Sequence, residues 1–207
     1  MLKLFPGPFV YHDSIENHQD IKQDILPKII EECENNKTNE SYIWQTYASV
    51  NNNARTNFYN TRSDLFQQKH IENIIHKPLN KLLDSLYNEN FVAIPSTSLP
   101  QNAKIKAIWW NVYKKGEYVE LHNHGLFGLS GVYFIDLPDD EVNSTTFVYN
   151  NYYPLSDDKK EDFSLLYHNS EYVKEGDVLI FPSSLKHYVN PVLTTKVSIS
   201  FNIELIF

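Results

Sequence analysis

From Pro95 onward the chain is a succession of short apolar runs, and that pattern limits the fold more than any other feature. IKAIWWNVYKKG, YVELHNH, LSGVYFIDL, TTFVYN, EYVKEGDVLIFP, HYVNPVL and KVSISFNIELIF are rich in β-branched and aromatic residues, with Gly, Pro, Asn and Asp between them. Runs of this kind pair as antiparallel strands, so residues 96–207 are expected to form a sandwich or barrel. The hydrophobic fraction of 42%, with 14% aromatics, supplies enough apolar volume to fill its interior.

Residues 1–95 read as a helical support layer for that barrel, within a single domain spanning 1–207. LFPGPFVYHDSI is a strand-like run broken by Pro6-Gly7-Pro8. Ile21, Ile25, Ile29 and Ile30 recur at helical spacing between His18 and Asn35, with Pro27 expected to start, kink or divide the helix. Residues 36–62 are rich in Asn, Thr and Ser and read as a loop, in which Tyr42, Trp44 and Tyr47 hint at a strand or packed segment. Leu65, Ile71, Ile74, Ile75, Leu79, Leu82, Leu83 and Leu86 form the stripe of a second helical stretch, 63–88.

Several function classes recede at this point. No run approaches the ~18 apolar residues of a membrane span, and the N-terminus lacks a basic segment followed by a long apolar one. A net charge of −8 without a Lys/Arg block argues against nucleic acid as a partner. The lone Cys33 permits no intramolecular disulfide, so a soluble protein in a reducing, cytoplasmic compartment is expected. Cys33 itself reads as a packed or half-exposed helical thiol. The patterning sets no oligomeric state.

Three histidines carry the chemistry. His122 and His124 form an H-x-H pair, which on a strand points both rings to one face. His187 follows GDVLIFPSSLK, where Gly176-Asp177 reads as a turn, Val178–Phe181 as a buried strand, and Pro182–Lys186 as the turn presenting the ring. Three imidazoles on one centre would bind iron, zinc, copper or nickel. In one alternative only His122 and His187 bind, with Glu120 or Glu117 supplying an oxygen. In another the histidines are incidental to the strands that carry them.

Lys196, Ser198, Ser200 and Asn202 alternate with Val197, Ile199 and Phe201, so the polar set shares one face. A barrel interior with a Lys is costly unless an anion fills it. The competing reading is the outer face of an edge strand. Trp109, Asn111 and Tyr113 alternate in the same way with Trp110 and Val112, and one of those faces must line the barrel. Ser130, Val132 and Phe134 share a face that would wall the same pocket. His12, His18, His70, His76 and His168 lack partners at ligand spacing and read as structural or surface residues.

The segments H-N-H, SGVYF, GDVLIFPSSLKHYV and KVSISFN, in that order, resemble the 2-oxoglutarate/Fe(II)-dependent oxygenase superfamily. The resemblance is closest to a prolyl-hydroxylase-like branch found in marine bacteria and phages. It covers roughly residues 105–207 and implies a double-stranded β-helix, or jelly roll, whose mouth holds Fe(II). It places the metal ligands at His122 and His187. The position normally held by a carboxylate is His124 here, and an H-x-H signature is common in that branch. Lys196 falls where the family places an Arg for the far carboxylate of 2-oxoglutarate, while Asn111, Tyr113, Ser198 and Asn202 would line the co-substrate site.

The implied activity is a dioxygenase that consumes 2-oxoglutarate and O2 to hydroxylate a protein, peptide or small-molecule substrate. A phage origin would place it in the host cytoplasm. The stretch between about Pro154 and Glu171 would form a lid. Two alternatives stand beside this reading: a cupin-like three-histidine metalloprotein acting without 2-oxoglutarate, and a non-catalytic jelly-roll binding module.

Overall fold

A computed structural model describes residues 2–4, 9–39, 54–58, 65–88, 100, 102–125, 128–138, 145–150, 165–169 and 173–206. Tyr42, Trp44 and Tyr47 lie outside these residues, as does most of the expected lid, of which only 165–169 is described.

Helix α1 (His18–Asn35) buries Ile21, Ile25, Ile29 and Cys33, a stripe set by four-residue spacing. Contrary to expectation, it runs through Pro27 without dividing. Pro27 and Gln23, whose carbonyl loses its amide partner, both face solvent, where water replaces the bond. The second helical stretch consists of α2 (Gln68–Ile71), a π-helical turn (Glu72–His76) and α3 (Lys77–Asn88). The wide turn comes just before Pro78, whose ring and missing N–H would disrupt a regular α-turn at the carbonyl of residue 74.

The strands form two antiparallel sheets, in keeping with the sandwich or barrel expected from the apolar runs and with the jelly roll implied by the resemblance. The larger contains β1 (Leu2–Leu4), β2 (Phe9–Ser14), β3 (Arg55–Thr56), β4 (Asn102–Tyr113), β6 (Leu129–Asp136), β9 (Asp177–Pro182) and β11 (Lys196–Ile206), in the order β1-β2-β9-β6-β11-β4-β3. The smaller contains β5 (Val119–His122), β7 (Thr146–Asn150), β8 (Leu165–Asn169) and β10 (Lys186–Val189), in the order β5-β10-β7-β8. The N-terminal half is therefore more than a helical layer, since it adds three strands to the large sheet.

Central strand β11 sets the division of faces. Val197, Ile199, Phe201 and Ile203 point to the outer face, where Trp110, Val112 and the isoleucines of α1 cover them. Burying each such side chain contributes roughly 1.5–3 kcal/mol. A register slip by one residue would put Lys196 and Ser198 into that layer, so the register is held firmly. Between the sheets Val132, Phe134, Phe147, Leu179 and Phe181 form a second apolar cluster.

Asp177 opens β9 after the turn at Gly176, whose φ of 89° is left-handed and whose Cβ would stand 2.9 Å from the His18 ring. Burial alone would raise the Asp177 pKa. It is lowered overall, because His12 (2.8 Å), Ser14 (2.6 Å) and the Lys174 N–H (3.0 Å) all donate to the carboxylate. A depressed folded pKa adds stability above the unfolded carboxylate value of about 3.9. That stability is lost as pH falls through the lower folded value. Asp177→Asn, which turns an NH2 towards one of these donors, is expected to cost about 1–3 kcal/mol at neutral pH. The gap should narrow below pH ~3, in urea unfolding at both pH values.

Among the described residues no helix is long and apolar enough to cross a membrane.

Candidate metal centre

His122 ends β5 and His187 sits directly opposite it on β10, an antiparallel pairing that brings the ring centroids to 4.3 Å. The strand stops at His122. Asn123 then accepts the Gly125 N–H at 3.0 Å on its side-chain oxygen, and Gly125 takes a φ of 89°, so the chain turns away. His124 is thus presented from a turn rather than a strand, with its N–H on the Ser183 carbonyl at 2.8 Å. Its ring lies over Trp109 (5.6 Å, 24°) and faces His187 (5.2 Å, 14°).

One nitrogen from each of the three rings lies within 4.8 Å of the others. Among the described residues no carboxylate joins them. Glu120 contributes only its main-chain oxygen, while the Glu117 carboxylate accepts the Lys114 N–H at 2.7 Å.

The chemistry of these donors follows from their partners. His122 Nδ1–H donates to the Glu120 carbonyl at 2.7 Å, and His187 Nδ1–H donates to the Leu185 carbonyl at 2.9 Å. Each bond fixes the tautomer and leaves the Nε2 lone pair free. Burial lowers the pKa of all three rings. His187 is pushed well below the ordinary range by burial and by both neighbours, and His124 falls to about 4. Three neutral imidazoles in a half-dry site form a donor set suited to Fe(II) or another divalent transition metal.

The rings open on a cavity of about 500 Å³, counting its mouth. Trp109, Asn111 and Tyr113 from β4 and Lys196, Ser198 and Ser200 from β11 line its other side, which settles the face question for both strands. The edge-strand reading of Lys196 fails, since β11 is paired on both sides and Lys196 is 1% exposed. Its Nζ lies 4.6 Å from the centre of the Tyr113 ring. Burial pushes the Tyr113 phenol up despite a hydrogen bond with Ser198, so it stays protonated. Asn111 donates to Ser200 Oγ at 3.1 Å.

Asn202 sits elsewhere than expected. It is not among the cavity-lining residues. Its Oδ1 accepts from Ser130 at 2.8 Å. Sequence reasoning also missed Phe147 and Phe181, which pack against His187, and Ser183, whose buried hydroxyl lies 2.9 Å from that of Ser130. An isolated serine in a turn carries no pattern that would have singled it out.

The remaining histidines do other work. His12 binds Asp177, His18 binds Tyr133 (2.6 Å) and Glu175 (2.9 Å), and His70 binds Asp24 at 3.0 Å. His76 lies in the π-helical turn and His168 in β8. Cys33 is buried, which pushes its thiol pKa up and suits packing rather than reactivity.

Residues 107–202 match the family model described as "Putative 2OG-Fe(II) oxygenase". That span contains all three histidines and Lys196. Among solved structures, the non-haem α-ketoglutarate-dependent epimerase SnoN from nogalamycin biosynthesis is similar at 13% identity and a TM-score of 0.56, over 95% of this chain and 77% of that one. A complex of the same epimerase with Fe3+, α-ketoglutarate and nogalamycin RO gives 12%, 0.54, 94% and 78%. A prolyl hydroxylase from Trichoplax adhaerens, in complex with a hypoxia-inducible-factor oxygen degradation domain peptide fragment, gives 12%, 0.52, 95% and 83%. At such identities the likeness speaks to the fold. No curated protein matches the chain.

Proposed function

We propose, from the match of residues 107–202 to the family model of putative 2OG-Fe(II) oxygenases, that His122, His124 and His187 hold Fe(II) and that Lys196 anchors 2-oxoglutarate in a dioxygenase. The observation that carries this reading is the meeting, in one cavity, of three neutral imidazoles with a buried cation on the opposite sheet. When bound, Fe(II) and 2-oxoglutarate would supply the electrons that reduce and activate O2, a chemistry that no side chain of this chain provides.

The protein's own residues bind, orient and exclude water. The carbonyls of Glu120 and Leu185 aim two imidazole lone pairs, and Trp109, Phe147 and Phe181 shield the rings. Lys196 supplies a point charge for the distal carboxylate, and Tyr113, Ser198 and Asn111 offer hydroxyl and amide groups beside it. Three neutral ligands leave the metal's full positive charge to attract a dianion, which compensates for the missing carboxylate ligand. The substrate class is a protein or peptide side chain. Support comes from the likeness to a prolyl hydroxylase whose solved structure holds a peptide fragment.

One experiment separates the readings. Fe(II) and 2-oxoglutarate are added anaerobically to metal-free protein while the visible charge-transfer absorption of the chelate is followed. Absorption that needs both additions is the expected result. Tight metal binding without it would favour the cupin-like, 2-oxoglutarate-independent alternative, which the third imidazole makes specific. Absence of metal binding would leave a jelly-roll binding module. Faster succinate release with peptide libraries than with small metabolites is expected, and the reverse would sink the peptide class.

A further inference from the structure

His122 and His187 are each fixed through one ring nitrogen, by main-chain carbonyls two residues upstream. His124 stands beyond the end of β5, where no strand pairing orients it, and its main-chain N–H meets the Ser183 carbonyl at 2.8 Å. Its ring is stacked on two others. The His187 ring lies 5.2 Å away with planes 14° apart, and the Trp109 indole lies 5.6 Å away with planes 24° apart. A nitrogen held by a hydrogen bond keeps its tautomer, whereas a ring packed on parallel faces keeps its plane.

The indole is itself braced. Phe58 meets Trp109 edge-to-face, at 4.9 Å and 70°. Phe58 arrives there because the residues before it are pinned to β4 next to that tryptophan. Thr56 Oγ1 donates to the Trp110 carbonyl at 3.0 Å and accepts the Phe58 N–H at 3.1 Å. Asn57 Oδ1 accepts the Trp110 N–H at 2.9 Å. Thr56 and Asn57 are fully buried, so water does not compete for these bonds. Phe58 is not among the cavity-lining residues, and it stands outside residues 107–202 that match the family model.

Stacking of this kind favours the metal-bound ring over the empty one. An imidazole that gives its lone pair to a divalent ion takes on part of the ion's charge. The negative face of an indole attracts such a ring more than a neutral one, and does so better than a phenyl face. We propose that Trp109, braced by Phe58, is a positioning residue that holds the plane of His124 for metal binding. The proposal rests on the reading of the three imidazoles as a metal centre. It gives β3, and the N-terminal half that carries it, a part in that centre.

The test uses Co(II) as the probe, with the full chain, chelator competition for affinity and the visible Co(II) spectrum for coordination. Trp109→Leu is expected to weaken Co(II) binding about 10-fold and to shift the spectrum towards that of His124→Ala. Trp109→Phe, which keeps an aromatic face, should stay within about 3-fold of the parent. Phe58→Leu should weaken binding about 3-fold with a spectral shift in the same direction. In the His124→Ala background neither leucine variant should weaken binding further.

A merely structural pair would lower thermal stability, leave the Co(II) spectrum unchanged and add its effect to that of His124→Ala, and that result would overturn the proposal. Equal losses in Trp109→Leu and Trp109→Phe would overturn it too, since volume rather than the aromatic face would then matter. Parent affinity and spectrum in both leucine variants, beside weakened binding in His124→Ala, would overturn it while sparing the three-imidazole centre. Parent affinity in His124→Ala would remove the third ligand and the proposal together. Should Trp109→Leu fail to fold, Phe58→Leu carries the test: weaker binding with the shifted spectrum supports the brace, and parent values in both overturn it.

Discussion

His187→Ala is expected to weaken Fe(II) or Co(II) binding by more than about 100-fold, beyond the usual effect of second-shell changes, and to abolish 2-oxoglutarate turnover. His187 is the most buried of the three rings, 6% exposed, and packs against Phe181 at 4.8 Å and Phe147 at 5.9 Å. Burial keeps it neutral, so its lone pair is available without competition from a proton at neutral pH. Truncation removes one of three donors and leaves a ring-sized void. The void should cost about 2–4 kcal/mol of stability, so circular dichroism must accompany the metal titration. Millimolar imidazole offers a sharper check, because a free ring entering the void should restore part of the Co(II) affinity. Undiminished metal binding in a folded His187→Ala protein would remove this centre from consideration.

Lys196→Met should raise the 2-oxoglutarate dissociation constant of the metal-loaded protein by about 30- to 5,000-fold, as expected from a 2–5 kcal/mol loss when one partner of a buried charge pair is truncated. The position is severe: a cation 1% exposed, 4.6 Å from the Tyr113 ring and 6.0 Å from Phe134. Thermal melting of the Met variant accompanies the titration, so that a change in binding is read on folded protein. Lys196→Arg keeps the charge but needs space for a planar fork, and retention of affinity to within about 10-fold is expected. Calorimetric titration reads all three. Equal dissociation constants for the parent and Lys196→Met would mean that the distal carboxylate is held elsewhere.

Much of this was legible in the residues because strand alternation is a local property. The polar set Lys196, Ser198, Ser200 and the apolar set Val197, Ile199, Phe201 separate by period two, and the structure assigns them to cavity and core. The isoleucine spacing marked α1 at His18–Asn35. Pro27 misled, because its effect depends on whether the orphaned carbonyl faces water, and that is settled by the way the helix lies on the sheet. The π-helical turn before Pro78 escaped notice for a similar reason, since its residues form an ordinary apolar stripe.

The residues by themselves determined the two-faced strands, the turn at Gly176, and the supply of three imidazoles and one lysine on a polar strand face, whereas the turn at Asn123 stood where a strand was expected. Pairing across distance was decided only by the tertiary structure: His187 opposite His122, β1 to β3 added to the large sheet, and Asn202 directed to Ser130 rather than into the cavity. The physical reason is that periodicity tells which way a side chain points from its own strand. Which neighbour it meets depends on register and sheet order, and these come from packing the whole barrel at once.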